Sequence, residues 1–280
     1  MKNSFSYIKN ILKVLIWPIM FIIGQFLIQY IFVLLFSLTE KGNMSESEFI
    51  NYMESTDYKT KLTNYINSNT LLIVGILFFI FFPILYKKYG KYKRYENKLN
   101  ASNIIEPILY GIVISLLYNI FIYYLNTMFN FTDRYTLSDV PIVVQLISSG
   151  IIGPILEELL FRGIVYNKLK EFNSINAAAV ICGLIFGVMH SNIIEGLYAF
   201  LVNFILIYLY EKYNSLKVTI TMHMSLNITI ILMLGFIIKG FTMFNLYLFI
   251  ISFLILLILV NNRGNNKDGI FRKNFRRIRK

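Results

Sequence analysis

Apolar residues in this chain come in long unbroken runs, neither alternating as in a half-buried strand nor spaced three and four apart as on a surface helix. A bilayer core is crossed by about 20 apolar residues in a helix. Eight stretches approach that length: 14–38, 69–86, 105–128, 142–166, 175–190, 195–211, 217–238 and 241–261. The first is too long for the apolar part of a signal peptide and lacks a small-residue cleavage site, so it is expected to be retained. Transmembrane barrels alternate over about 10 residues, and nothing here does. No repeat of 20–50 residues and no low-complexity stretch interrupts the pattern. The pattern predicts an all-α polytopic membrane protein with about eight transmembrane helices. Three spans with an acidic outer loop at 39–68 make an N-terminal membrane region, 1–140. A core follows at 141–240, then a last span with a basic tail, 241–280.

Composition agrees: 56% of the 280 residues are hydrophobic, 15% are charged, and the mean hydropathy is +0.60. The net charge of +12 would suit nucleic acid, yet the basic residues do not interleave with stacking aromatics along a polar face. A single cysteine, Cys182, excludes an internal disulfide or a Cys-rich zinc module. It is expected to be buried packing, having no basic neighbour to activate it. The charge serves topology instead. Of the 27 Lys and Arg residues, 21 fall in the N-terminus, the second, fourth and sixth connections and the tail; five fall on the other side, and Arg162 lies within a span. Both termini are therefore expected in the cytoplasm, with the basic tail attracted to anionic lipid headgroups.

Ionisable residues inside spans cost several kcal/mol unless paired or facing water, so they mark function by default. Span four carries Gly153-Pro154-Ile155-Leu156-Glu157-Glu158-Leu159-Leu160-Phe161-Arg162-Gly163. Glu158 and Arg162 are four apart on one helix face, the spacing of an intrahelical ion pair. Glu157 points about 100° away, where its neighbour at that spacing is Phe161. It is the carboxylate left over. Both histidines also fall in spans: His190 closes Phe186-Gly187-Val188-Met189-His190, and His223 shares a helix face with Asn227. Counting about 1.5 Å per residue, Glu157 and Asn227 lie level, roughly 15–16 Å from Lys168 and Lys217. His223 is shallower at roughly 9 Å, and His190 deeper at roughly 20 Å from the start of its span. The four meet only if span five is tilted or begins short of the interface.

A carboxylate in an apolar pocket serves as general base and then as acid to a leaving amine. A histidine beside it orients the same water. A second histidine with an amide donates to the tetrahedral oxyanion, worth about 3–4 kcal/mol per donor. Glu157 with His190 fits the first role, and His223 with Asn227 the second. The same groups could instead bind zinc, with Glu157 as ligand or base. Other protease designs are absent: there is no His-Glu-x-x-His, no Gly-x-Ser-x-Gly and no central aspartate in any span.

Three co-ordered motifs, Glu157-Glu158-x-x-x-Arg162, Phe186-x-x-x-His190 and His223-x-x-x-Asn227, resemble those of the CAAX-prenyl protease and bacteriocin-processing (CPBP, or Abi) intramembrane proteases. They cover roughly 150–230. The resemblance implies a core of spans four to seven around a membrane cavity open toward the cytoplasm. It implies an endopeptidase in which Glu157 and His190 activate water while His223 and Asn227 hold the oxyanion. Glu158, Arg162 and Phe186 then support the site, and no metal is obligatory, although family members have also been labelled metalloproteases. The abundance of Ile, Asn, Lys, Phe and Tyr suits an AT-rich Gram-positive genome and hence a bacterial plasma membrane. There the resemblance implies a membrane-associated peptide or protein substrate, in bacteriocin immunity or peptide maturation. Two other classes fit the same residues: a non-catalytic scaffold or immunity protein of this fold, and an ion- or proton-coupled transporter. Against the transporter, the spans show no internal duplication.

Overall fold

The computed structural model describes residues 2–93, 103–129, 140–190, 192–237 and 242–261. Over their described residues the eight apolar runs are helical, apart from turns at their ends, as at 189–190, and no strand occurs among the described residues. We number the helices α1 (Lys2–Lys41), α2 (Glu46–Glu54), α3 (Thr56–Ser68), α4 (Thr70–Lys93), α5 (Ile105–Phe129), α6 (Ile142–Lys170), α7 (Ile175–Val188), α8 (Ile193–Tyr213), α9 (Leu216–Ile237) and α10 (Thr242–Asn261). Six of them, α1, α4, α5, α6, α8 and α9, contain described stretches long and apolar enough to cross a membrane. Their outward faces remain apolar, as with Ile23, Phe26, Phe79 and Leu201, so the chain is a multi-pass membrane protein. The basic tail, Arg94, Lys98, Arg134 and Lys239 lie outside the described residues.

Two findings differ from the hydropathy reading. The acidic loop 39–68 folds into α2 and α3. Ser45 accepts from the Glu48 amide while the Glu48 carboxylate accepts from the Ser45 amide, satisfying two N-terminal donors of α2. Ser55 caps α3 by accepting from the Tyr58 amide, and the buried Tyr58 ring packs on Phe36 of α1 while its hydroxyl meets Ser37. Secondly, α7 has 14 residues, about 21 Å of helix, short of the roughly 30 Å hydrocarbon core.

Within a bilayer helices gain little from excluding water from each other, so small residues that permit close approach decide who packs on whom. Gly187 of α7 and Gly196 of α8 meet backbone to backbone: a Cβ on either would lie 2.7 Å from the other's carbonyl oxygen. Gly111 of α5 faces α9, where a Cβ would lie 2.6 Å from the Met222 carbonyl and 2.8 Å from the Leu226 nitrogen. Backbone cannot yield as a side-chain tip does. Gly111→Ala is therefore expected to destabilise by about 1–3 kcal/mol, read as a lowered thermal midpoint of the detergent-solubilised chain.

Two apolar clusters result. One joins buried residues of α1, α4, α6 and α7, including Phe21, Phe81, Leu160, Ile164 and Cys182. The other joins α5, α8 and α9 through Tyr110, Ile114, Leu206, Met222 and Leu226. Contacts between helix ends gather one end of the bundle: Tyr7 with Asn173, Lys168 with the Lys13 carbonyl, Lys91 with Glu171, Lys170 with Glu211 and Lys212 with Glu106. The charges expected on the cytoplasmic side thus share an end. The intramembrane polar residues lie where the two clusters meet.

Candidate active site

The backbone of α6 explains where its carboxylates sit. Two wide turns, Ser148–Ile152 and Leu159–Tyr166, flank the ordinary helical segment Gly153–Glu158. Such turns bond each N–H to the carbonyl five residues back, as Gly153 does to Ser148. The next donor in that register would be Pro154, which has no N–H, so the Ser149 carbonyl lacks its helical partner. Asn227 of α9 supplies it: its amide nitrogen donates to the Ser149 oxygen at 2.8 Å. The second wide turn is treated likewise from within. Asn167 donates to the Arg162 and Gly163 carbonyls at 2.9 and 3.1 Å, and contacts the Tyr210 hydroxyl at 2.8 Å.

Glu158 and Arg162 form the expected pair, both fully buried, with Nη1 donating to Oε1 at 2.7 Å. The other arm of the guanidinium donates to Asn203 of α8 at 3.2 Å, while Asn203 donates to the Ala179 carbonyl at 3.0 Å. The ring of Phe186 lies beneath the guanidinium carbon at 4.6 Å, adding a cation–π contact. Glu158 Oε1 also accepts from His223 Nδ1 at 2.9 Å. A carboxylate can only accept, so Nδ1 carries the proton and Nε2 is the ring atom left for other work.

That atom faces Glu157. His223 Nε2 lies 3.8 Å from Glu157 Oε2, and the Glu157 side chain is 31% exposed against 0% for Glu158. The distance is too long for a hydrogen bond and suits one bridging water. Span four thus holds two unlike carboxylates: one locked between a guanidinium and an imidazole, the other partly exposed.

His190 lies just beyond α7. Its Nδ1 contacts the Phe186 carbonyl at 2.9 Å; a carbonyl only accepts, so Nε2 again is unprotonated in the neutral ring. Both histidine rings stand edge-on to Phe186, with centroids at 5.0 Å for His190 and 6.2 Å for His223. The depth conflict resolves through the packing of α7 on α6. The Phe186 ring meets the Phe161 ring at 4.7 Å between centroids, and Cys182 Sγ meets the Phe161 carbonyl at 3.8 Å. The two helices run antiparallel, so His190, four residues after Phe186, falls about level with Glu157, four residues before Phe161. Among the described residues, neither His190 nor Asn227 is hydrogen-bonded to Glu157 or His223.

Zinc takes three or four protein ligands. Among the described residues no three His, Cys, Asp or Glu side chains are grouped to hold a metal. With both Nδ1 atoms engaged, the gap between Glu157 and His223 presents two converging donors, and this donor set does not fit a zinc centre.

Asn203 escapes a reading based on charge, although an amide amid Val202, Phe204 and Ile205 is the same kind of signal as a buried histidine. It is fully buried and holds the guanidinium from the side opposite Glu158. Asn203→Leu leaves one Arg162 arm unpartnered, at about 1–3 kcal/mol, and removes the side-chain bond to the Ala179 carbonyl. The expected result is a several-degree fall in thermal midpoint, measured by tryptophan fluorescence of Trp17.

Residues 139–229 match the family described as type II CAAX prenyl endopeptidase Rce1-like. A relative from Bacillus subtilis (strain 168), named "Putative membrane peptidase YdiL", is 33% identical over 90 residues, 32% of this chain and 37% of that protein. The match thus spans little more than a third of the relative's length. No solved structure matches the chain. The matched segment runs from α6 into α9 and contains every residue of the polar cluster. Over this segment the chain is similar to the type II CAAX prenyl endopeptidase Rce1-like family.

Proposed function

We propose that the chain is an intramembrane endopeptidase of the CAAX-protease type, hydrolysing a peptide bond in a membrane-associated peptide or protein. The observation that carries this is Glu157: a carboxylate within a span, without the arginine that Glu158 takes, partly exposed and one water's width from His223 Nε2. A water held in that gap gives its proton to Glu157 as its oxygen attacks the peptide carbonyl. Glu157 then passes the proton to the leaving amine, so the carboxylate ends as it began. His190, its ring fixed by the Phe186 carbonyl, orients the water or the scissile bond through Nε2. With a proton on Nε2, His223 donates to the oxyanion while Glu158 balances its charge through Nδ1. Asn227 has a second amide hydrogen beyond the one on Ser149, which gives the oxyanion another donor.

Glu158, Arg162, Asn203 and Phe186 do no chemistry in this scheme; they hold His223 and place α7. The substrate class we favour is a short membrane-bound peptide, in immunity or maturation of a bacteriocin-like product. The test is comparative mass spectrometry of membrane peptides from cells carrying wild-type or Glu157→Ala protein. A peptide that accumulates uncut only in the variant is the expected outcome and names the substrate. Matching peptide sets with matching protein levels would overturn the proposal.

A further inference from the structure

A second cluster, at the basic end of the bundle, takes no part in the chemistry. Trp17 of α1 lies beneath two ammonium groups, Lys88 Nζ of α4 at 5.3 Å from its ring centroid and Lys168 Nζ of α6 at 6.0 Å. Lys168 is half-buried and donates to the Lys13 carbonyl at 3.2 Å. Three helices thus bring Lys88 and Lys168 to one indole, with Lys168 bonded to the Lys13 backbone one turn before Trp17.

Among the described residues their charges are not balanced by ion pairs. The charges of Lys88, Lys91 and Lys13 act on Lys168 against that of Glu171. Glu171 is already engaged, accepting from Lys91 at 2.7 Å and from the Tyr92 hydroxyl at 2.9 Å. Burial works against its ionisation, yet these bonds hold its pKa below the ordinary carboxylate value. No ion pair joins Lys13, Lys88 or Lys168 to a carboxylate among the described residues. Mutual repulsion between partly desolvated ammonium groups is relieved by an anion seated among them.

Toward the membrane the same faces turn apolar. Lys13, Ile16, Trp17 and Met20 fall at the spacing of one face of α1, and Ile84 lies one turn inward of Lys88 on α4; Ile16, Met20 and Ile84 are exposed. Tryptophan favours the level of the headgroups, and lysine stems lie along apolar surface while their heads stay polar. Cationic heads above an exposed apolar row match a ligand with a phosphate at one end and acyl chains at the other. We propose that Lys13, Lys88, Lys168 and Trp17 form a binding site for the phosphate headgroup of an anionic phospholipid, seated between α1, α4 and α6.

The test uses the full-length chain in detergent, with native mass spectrometry and thermal unfolding as readouts. Dioleoyl phosphatidylglycerol is compared with dioleoyl phosphatidylcholine and with inorganic phosphate. We expect phosphatidylglycerol to stay bound and to raise the thermal midpoint, and the other two to do neither. Lys88→Ala/Lys168→Ala is expected to weaken binding about tenfold or more. Lys9→Ala/Lys87→Ala removes equal charge from the same end outside the cluster and is expected to leave binding unchanged. Equal loss in both double variants would reduce the effect to general surface charge and overturn the site. An equal effect of inorganic phosphate would overturn the phospholipid. Should Lys88→Ala/Lys168→Ala not fold, the single Lys88→Gln carries the same comparison.

Discussion

Replacing Glu157 with glutamine is expected to abolish cleavage of the membrane substrate while leaving the fold intact. The substitution keeps shape and removes the ability to take a proton, so the loss should match that of a general base, about 10²- to 10⁴-fold. Stability should change by no more than about 0.5 kcal/mol, because Glu157 is partly exposed and lies 3.8 Å from His223 Nε2, beyond hydrogen-bond reach. The adjacent residue should behave in the opposite sense. Glu158 is fully buried with bonds to both Arg162 and His223, so Glu158→Gln should cost stability as well as activity. Thermal unfolding and peptide cleavage on the same preparations separate the two. Equal behaviour of the two glutamines would show that the division of labour is wrong.

The second large effect concerns Arg162. It is fully buried, bonded to Glu158 and Asn203 and stacked on Phe186. Arg162→Met leaves a buried carboxylate without its cation, a loss of about 3–5 kcal/mol. Against a total stability of about 5–15 kcal/mol, little folded protein should reach the membrane. Lysine is no substitute, since an ammonium on a flexible stem cannot hold Glu158 and Asn203 in the fixed geometry of a guanidinium fork. Removing both charges tells stability apart from positioning. Arg162→Met/Glu158→Leu replaces the pair by apolar side chains and should recover most of the folded yield. It should not recover cleavage, because His223 then has no acceptor for Nδ1 and its ring is free to turn. Yield by fluorescence-detected size exclusion, with cleavage measured on the recovered protein, checks both halves.

Much of the architecture was legible in the chain, because hydropathy reports directly on what a bilayer demands. Over their described residues the eight apolar runs are helical apart from turns at their ends, and the Glu158–Arg162 pair follows from helical spacing alone. What hydropathy could not carry was local backbone detail. The wide turns of α6 depend on Pro154 withholding a donor and on Asn227, 73 residues later in the chain, replacing it; no local pattern announces such a partner. The conflict in depth between His190 and Glu157 arises when each is counted from its own span's end, whereas α7 packs antiparallel on α6 through Phe186 and Phe161 and brings the two residues level. The hairpin α2–α3 was passed over because its residues are polar, although Ser45-Glu46-Ser47-Glu48 has the spacing of a capping box. Asn203 carries no charge to mark it, although an uncharged amide also costs free energy to bury unless it is hydrogen-bonded.

The central claim is that Glu157 delivers a water to a peptide bond. It is tested most directly by incubating the purified chain with the substrate peptide in water enriched in ¹⁸O and weighing the products. Wild-type protein should yield a product whose new C-terminal carboxylate carries one heavy oxygen. Folded Glu157→Gln protein should yield none. Labelled product formed at wild-type rate by Glu157→Gln would contradict the account.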